Sequence, residues 1–212
     1  GINYLSLGWD KKQVEWESFL KEFHRVLKDT GNILIFQGWS HVYELMALIK
    51  KSNLLKVQNC IVWDRIKGRG ARKNLVSTRE DLLWLVKGKN YTFHRTVSDI
   101  PKKTKGMGEK NGQENRILSN VWTDISPLVP WSKEKVEHPT QKPLKLIKRI
   151  IEVFSNEGDI VLDCFMGSGT SAVACIETNR NYIGFEIEKK YCGITRSRVG
   201  AMRRRSNTYE KF

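Results

Sequence analysis

The stretch Asp159-Ile-Val-Leu-Asp-Cys-Phe-Met-Gly-Ser-Gly-Thr170, with Tyr182-Ile-Gly-Phe-Glu-Ile-Glu188 after it, has the pattern of a strand, a glycine turn, a helix and a second strand. Ile160 to Leu162 is a short apolar run that is typical of a buried parallel strand. The turn Gly167-Ser168-Gly169 lets a ligand approach the backbone closely, and Thr170 is suited to cap the following helix. The stretch therefore predicts a strand–helix–strand unit of an α/β fold.

Two carboxylates stand where such a unit binds ligands. Asp163 lies at the carboxyl end of the first strand, where it can accept a hydrogen bond from an ammonium or hydroxyl group. Glu186 ends the second strand about twenty residues after the glycines, the usual place for an acid that binds ribose hydroxyls. Gly167, Gly169 and Ala172 also match the G-x-G-x-x-G/A pattern of dinucleotide sites. The pattern alone leaves open whether this is a nucleotide-type site or a plain glycine-rich turn.

The composition indicates a globular protein with a polyanionic partner. The chain has 212 residues, with 37 Lys and Arg against 23 Asp and Glu, giving a net charge of +14. Such a charge favours nucleic acid as the partner, although a basic surface without a partner would look the same. No apolar run approaches the ~20 residues of a membrane span. The four cysteines lack C-x-x-C spacing, which favours a reduced cytoplasmic protein without a structural metal.

Two basic segments are the candidates for contact with nucleic acid. Asp64 to Arg79 contains six cations, one acid and two flexible glycines, which suits contact with phosphates, although a solvated loop would look similar. Pro101 to Arg116 has almost no apolar side chains, so it is predicted to be mobile until a partner orders it. The candidate contacts are Arg65, Lys67, Arg69, Arg72, Lys73 and Arg79 in the first segment, and Lys102, Lys103 and Lys105 in the second.

Three further helices are predicted from apolar spacing. Val14 to Lys28 has the pattern of an amphipathic helix. The hexapeptide His138-Pro-Thr-Gln-Lys-Pro143 precedes a second helix, whose free N–H groups and dipole are suited to bind a carboxylate. Lys189 to Val199 is predicted as the last helix, followed by the frayed basic tail Arg203-Arg204-Arg205.

The pair of motifs Asp163-Cys-Phe-Met-Gly-Ser-Gly-Thr170 and His138-Pro-Thr-Gln-Lys-Pro143 resembles the S-adenosylmethionine-dependent DNA amino-methyltransferases. Their order is similar to that of the beta group, in which the catalytic half precedes the cofactor motifs. The resemblance implies a Rossmann-like α/β fold, with a mostly parallel sheet and helices on both faces. It implies a catalytic half in residues 1–100, a mobile target-recognition insertion in 101–137, a cofactor-binding half in 138–200 and a basic tail in 201–212.

The resemblance also implies a role for each motif residue in binding S-adenosylmethionine. Glu186 would hold the ribose hydroxyls, and the hexapeptide would close the site near the cofactor carboxylate. The two basic segments would contact double-stranded DNA, from which the target base must be flipped out. The expected cofactor-binding residues are Asp163, Phe165, Gly167, Ser168, Gly169, Thr170 and Glu186, with His138, Thr140, Gln141 and Lys142 from the hexapeptide.

One departure from the family pattern concerns catalysis. The family's Asp-Pro-Pro-Tyr or Ser-Pro-Pro-Tyr motif, which holds the amino nitrogen of the flipped base, is absent from this sequence. The catalytic residues are therefore unknown. In the family the strand leading to that motif lies beside the strand that ends at Asp163, so we expect an upstream segment or a second chain to complete the sheet. A homodimer is also expected from the resemblance.

Several functions stay open at this point. The resemblance favours methylation of adenine N6, as in restriction-modification systems, because Gly8-Trp9-Asp10 resembles the adenine enzymes. Cytosine N4 is the alternative target. A nicotinamide-dependent dehydrogenase would share the glycine pattern but not the hexapeptide. A non-catalytic DNA-binding subunit that keeps the methyltransferase fold would account for the absent motif.

Overall fold

A computed structural model describes residues 14–69, 73–101 and 115–209. These residues belong to two compact units, one within residues 1–61 and 80–91 and the other within residues 62–79 and 92–212. The elements are, in chain order, α1 (Trp16–Val26), β1 (Asn32–Gln37), α2 (Val42–Ser52), β2 (Lys56–Arg69), β3 (Ser77–Val86), β4 (Val97–Pro101), β5 (Asn115–Ile117), β6 (Val121–Trp122), α3 (Leu144–Phe154), β7 (Ile160–Asp163), α4 (Thr170–Glu177), β8 (Asn181–Gly184) and α5 (Lys189–Tyr209).

The first unit has a core between helices and an antiparallel strand pair. The predicted amphipathic helix is α1, whose apolar residues recur every three or four positions and bury Leu20. β1 pairs antiparallel with β3, so that Ile35 lies opposite Leu83. The apolar face of α2 packs on the same cluster. Its buried members are Leu20, Ile35, Leu45, Ile49, Leu55, Leu83 and Leu85.

The basic segment 64–79 is largely strand. β2 extends to Arg69, and β3 begins at Ser77, so the alternative of a solvated loop does not describe most of its described residues. Within β2, Ile66 has a φ of 63°, and its N–H donates to the Asp64 carboxylate at 2.7 Å. The Arg65 guanidinium donates to the carbonyls of Ser77, at 3.0 Å, and Thr78. Backbone pairing therefore orders a segment whose side chains alone suggested mobility.

The second unit contains the strand–helix–strand unit that the sequence predicts. β7 and β8 run parallel, with Asp163 opposite Gly184, and α4 lies between them in sequence. One face of this strand pair carries Tyr182 and packs with α4 and α5 on a small core that contains Met166, Ala172 and Val199. Short parallel strands joined by a helix bring their carboxyl ends to one edge, which places the candidate site there.

The opposite face of β7 and β8 is apolar and exposed. Apolar side chains occupy alternate positions along the two strand segments, and each of them is at least 40% exposed. They are Ile160 and Leu162 in the first segment and Ile183 and Phe185 in the second. In the part of the chain that the structure describes, β7 pairs with β8 on one edge and with no strand on the other. Proteins usually cover an exposed apolar face of a sheet and pair or shield an open strand edge.

A buried ion pair holds the chain around the predicted recognition insertion. The Arg149 guanidinium of α3 donates two hydrogen bonds to the Asp124 carboxylate, at 2.8 and 2.7 Å. Asp124 also accepts the N–H of Asp99 in β4, and Arg149 lies over the ring of Trp122. Burial acts to raise the pKa of Asp124, but these hydrogen bonds outweigh it and lower that pKa to about 2. The pair ties β4, β6 and α3 into one unit.

The insertion itself is partly described. β4 and β5 pair antiparallel on either side of 102–114, and the mobility expected for that stretch falls outside the described residues. Trp122 is buried, whereas Trp131 is 81% exposed. The predicted frayed tail is wrong up to Tyr209, because α5 continues to that residue. The described helices are too short or too polar to cross a bilayer, and no group of three metal-ligating side chains occurs within the described ranges.

Candidate functional site

The glycine turn between β7 and α4 depends on backbone conformations that favour glycine. Gly167 has a φ of 52° and Gly169 a φ of 77°, both in the left-handed region. A Cβ on Gly167 would lie 2.9 Å from Nε2 of His138, and one on Gly169 would lie 2.7 Å from Oγ1 of Thr195. The glycines thus make room for protein side chains packed against the turn. The expected N-cap is wrong, because Gly169 occupies that position and Thr170 is the first helical residue.

Asp163 holds the start of the turn. Its Oδ1 accepts the N–H of Phe165 at 2.9 Å, and its Oδ2 accepts the hydroxyl of Ser171 at 2.5 Å. The carboxylate therefore joins the end of β7 to the first turn of α4. Phe165 itself is 54% exposed and offers an apolar surface beside the turn. Burial, and then the charge of Asp163, raises the pKa of the Cys164 thiol, so this cysteine stays protonated at neutral pH.

Glu186 connects the second strand to the same turn. Its Oε2 accepts the N–H of Gly167 at 2.7 Å, and its Oε1 accepts the N–H of Glu188 at 2.9 Å. Backbone bonds between Met166 and Phe185 and between Phe185 and Asp163 run alongside. Each Glu186 oxygen retains a second lone pair, since a carboxylate can accept about four hydrogen bonds. The acid is fixed in place while part of its accepting capacity is left for a ligand.

His138 lies against the glycine turn. Its ring packs on Tyr191 with centroids 4.4 Å apart, and its Nδ1 accepts the N–H of Thr140 at 3.3 Å. Burial lowers the pKa of His138, and the nearby cations Lys135, Lys142 and Arg198 lower it further against the opposing effect of Glu186. The imidazole is therefore neutral at pH 7.

The start of α3 differs from the expectation of an open anion site. The N–H of Leu144 donates to the Glu134 carboxylate at 3.0 Å, so an acid of the chain itself binds this helix N-terminus. Gln141 is buried and ties the preceding loop together: its Nε2 donates to the Glu134 carbonyl and its Oε1 accepts the N–H of Val136. The hexapeptide is thus held as a closed loop.

Comparisons with known proteins agree with this geometry. A family model described as DNA methylase, for N6 and N4 enzymes, matches residues 8–197. This chain belongs to that family. It is 34% identical over 186 residues to the type II methyltransferase M.HpaI of Haemophilus parainfluenzae, covering 87% of this chain. It is 36% identical over 184 residues to the DNA adenine methyltransferase YhdJ of Escherichia coli, covering 81% of this chain. The resemblance of the motif pair is thereby confirmed.

Solved structures confirm the expected fold. The structure of the M1.HpyAVI–SAM complex matches with a TM-score of 0.61 and 28% identity, over 87% of this chain and 83% of that one. PvuII DNA methyltransferase, which is cytosine-N4-specific, matches with a TM-score of 0.66 at 16% identity, over 89% of this chain and 74% of that one. The chain spans 57% of the length of M.HpaI and 61% of that of YhdJ.

The structure brings most of the expected site residues of this chain together. Asp163, the glycine turn, Glu186 and His138 meet at one edge of β7 and β8, whereas Thr140 is exposed and Gln141 faces its own loop. Sequence reasoning missed the residues of α4 and α5 that contact the glycine turn, Asp163 and His138. They are Ser171 on α4 and Tyr191, Thr195 and Arg198 on α5. The spacing of the last three, four and then three positions apart, is the signal that puts them on one helix face.

The predicted DNA contacts lie only partly within the described residues. Arg65 spans the two strands of its hairpin through the carbonyl bonds above, which gives it a structural role. Lys73 and Arg79 are exposed on the hairpin. Arg72, Lys102, Lys103 and Lys105 lie outside the described residues, as do the side chains of Lys67 and Arg69. Contact of this set with DNA stays a prediction.

The burial of neutral His138 makes a testable prediction about pH. Its folded-state pKa is below the ordinary histidine value of 6.5, so the unfolded chain binds more protons between these two values. The free energy of unfolding should therefore be at its full value above about pH 6.5 and decrease as the pH falls toward the lowered pKa. Urea unfolding from pH 8 to pH 5 measures this, with His138→Gln as the comparison. An identical pH dependence in the two proteins would contradict the assignment.

Proposed function

We propose that this chain carries the cofactor-binding and DNA-contacting parts of an S-adenosylmethionine-dependent DNA methyltransferase that methylates the N6 amino group of adenine. The observation that carries the proposal is the glycine turn held between the carboxylates of Asp163 and Glu186 at the ends of two parallel strands. The adenine target is supported by the similarity to YhdJ, whose name states it. The cofactor is supported by the similarity to M1.HpyAVI, whose structure is a SAM complex.

The residues present fit the chemistry of that cofactor. The free lone pairs of Glu186 are suited to accept hydrogen bonds from two ribose hydroxyls, and Asp163 is suited to face an ammonium group. The exposed ring of Phe165 offers an apolar contact. Gly167 to Thr170 would follow the ligand with backbone atoms, and His138, Thr140, Gln141 and Lys142 would close the site. The cofactor supplies an activated methyl group on a sulfonium.

The reaction is an in-line transfer. The amino nitrogen of the base forms a bond to the methyl carbon as the bond from carbon to sulfur breaks, and the nitrogen then loses a proton to solvent or to an acceptor. Because the nitrogen lone pair is delocalised into the ring, positioning supplies most of the rate. No described residue is assigned as the acceptor. Double-stranded DNA is the substrate in this proposal, and Lys73 and Arg79 would contact its phosphates.

The open edge of β7 supports a second part of the proposal. We infer that a further strand, from an upstream segment or from a second, different chain, pairs with β7 and covers the apolar face that contains Ile160 and Leu162. Such a strand would carry the amino-binding motif that this sequence lacks. The reducing cytoplasm is the compartment that suits the four cysteines, whose positions in the sequence have no C-x-x-C spacing.

The proposal is tested in two steps with the full chain. Calorimetric titration with S-adenosylmethionine should show binding, and Glu186→Gln should weaken it about tenfold because one hydrogen-bonded carboxylate oxygen is lost. Glu188→Gln, an exposed acid two residues away, serves as the matched control. Absence of binding by the unaltered chain would overturn the proposal.

The second step measures methyl transfer. Labelled S-adenosylmethionine is incubated with duplex DNA, and the product nucleosides are identified by mass spectrometry. N6-methyladenine is the expected product, and N4-methylcytosine would correct the target base. Transfer only by a chain extended upstream would support the inference of a missing strand. Binding without transfer by either chain would replace the enzyme with a non-catalytic subunit.

A further inference from the structure

Helix α5 contacts the glycine turn through the side chains of Arg198 and Thr195. The Nη1 of Arg198 donates to the Ser168 carbonyl at 2.7 Å, and lies 3.2 Å from Oγ1 of Thr170 and 3.4 Å from Oγ of Ser168. Ser168 and Thr170 are both buried. One guanidinium therefore meets three oxygens of the turn and of the first residue of α4.

Thr195 continues this contact one helical turn earlier. Its hydroxyl donates to the Gly167 carbonyl at 3.0 Å. The same side chain fills the space beside Gly169, where a Cβ would lie 2.7 Å from it. Tyr191, one further turn back, packs on the ring of His138. A single face of α5 therefore contacts the carbonyls of Gly167 and Ser168 and the ring of His138.

We propose that Arg198 is a positioning residue for the cofactor, which acts through Ser168, Gly169 and Thr170 by fixing the conformation of the glycine turn. The inference rests on the proposed function, since it concerns affinity for S-adenosylmethionine. Among the described residues, the polar partners of the Arg198 guanidinium are oxygens of Ser168 and Thr170 and not a carboxylate. Burial lowers the pKa of Arg198, with Glu134 acting in the opposite direction, and the guanidinium remains charged.

Arg198 is expected to affect cofactor affinity because the backbone conformation of the glycine turn determines how well the ligand fits against it. Gly167 and Gly169 are both in left-handed conformations. The carbonyl of Gly167 accepts a hydrogen bond from Thr195, and the carbonyl of Ser168 accepts one from Arg198. Hydrogen bonds from a charged donor are stronger than neutral ones. Removing the guanidinium leaves the Ser168 carbonyl buried without its donor, and the turn can relax into a conformation that no longer matches the ligand.

The test compares three variants of the full chain by calorimetric titration with S-adenosylmethionine at a temperature well below unfolding. Arg198→Met keeps the length of the side chain and removes its donors, so the Kd should rise about 10- to 100-fold. Arg198→Lys keeps the charge but cannot reach three oxygens at once, so the Kd should rise by less than in Arg198→Met but clearly above the control. Arg196→Met, on the exposed face of the same helix, is the matched control and should bind like the unaltered chain.

A purely structural role is distinguished by two further readouts. The ligand-free melting temperature of each variant is measured beside its Kd, and methylguanidinium is added to Arg198→Ala to restore binding. A lowered melting temperature with an unchanged Kd would overturn the proposal, as would equal Kd values for Arg198→Met and Arg196→Met. Failure of the unaltered chain to bind would instead refute the proposed function. Restored affinity with methylguanidinium is the result expected if the guanidinium orders the turn.

Discussion

Replacement of Gly169 by alanine is expected to weaken S-adenosylmethionine binding by about 100-fold or more. The added Cβ would lie 2.7 Å from the Thr195 side chain, and the residue has a φ of 77° that alanine adopts only with strain. The turn must move, and a displacement of about 1 Å at a binding site can cost on the order of 100-fold. Calorimetric titration with S-adenosylmethionine measures the loss directly.

Gly158 provides the matched control for this substitution. Its φ is 80°, but a Cβ there would meet nothing within 4 Å. Gly158→Ala therefore carries only the backbone strain, about 1–2 kcal/mol of unfolding free energy, and should bind the cofactor normally. Gly169→Ala combined with Thr195→Gly removes the clash and should recover part of the affinity. Equal binding by the Gly158 and Gly169 variants would show that the packing of α5 against the turn is unimportant.

Replacement of Asp124 by asparagine is expected to lower the free energy of unfolding by about 3–5 kcal/mol. Asp124 and Arg149 are 5% and 9% exposed, and the substitution leaves the guanidinium buried without a counter-charge. Against the effect of burial, the hydrogen bonds from Arg149 lower the pKa of Asp124 to about 2 from the ordinary aspartate value of 3.8. Because the folded-state pKa is the lower one, the pair contributes fully above about pH 3.8 and its contribution is lost as the pH falls through about 2.

Asp99→Asn is the control for that prediction. Asp99 belongs to the same part of the second unit, but its ion pair with Lys145 is more than half exposed, so its loss should cost less than about 1 kcal/mol. Urea unfolding at neutral pH, followed through the fluorescence of Trp122 beneath Arg149, compares the two. The double variant Asp124→Leu with Arg149→Met should be more stable than Asp124→Asn, because no buried charge remains. Similar losses for Asp99→Asn and Asp124→Asn would contradict the assignment.

The parts of the fold that the sequence predicts well are those with a local signal. The apolar spacing in α1 and the run from Ile160 to Leu162 each point to one element, and the structure contains both. The motif pair identified the family because His138 and Gly167 are each part of a fixed pattern. The contact between those two residues explains why the patterns occur together.

The errors have a common physical cause. Asp64 to Arg79 looks solvated because its side chains are charged, yet the hydrogen bonds of β2 and β3 depend on the backbone and not on those side chains. The N-terminus of α3 looked open because Glu134, which binds it, lies ten residues away in sequence. The contact of Arg198 with the glycine turn was not predicted for the same reason, since its partners Ser168 and Thr170 lie about thirty residues earlier in the sequence. Long-range contacts between side chains and backbone leave no local pattern.

The double attachment of Glu186 affects when the site loses conformational entropy. Its carboxylate accepts hydrogen bonds from the amides of Gly167 and Glu188, so contacts within the chain itself help to order the two loops. A pre-ordered site adds little entropic cost to association, and more of the contact energy with a ligand appears as affinity. Association at this edge of β7 and β8 is then governed by diffusion and orientation, because the loops joined by Glu186 need no slow closure.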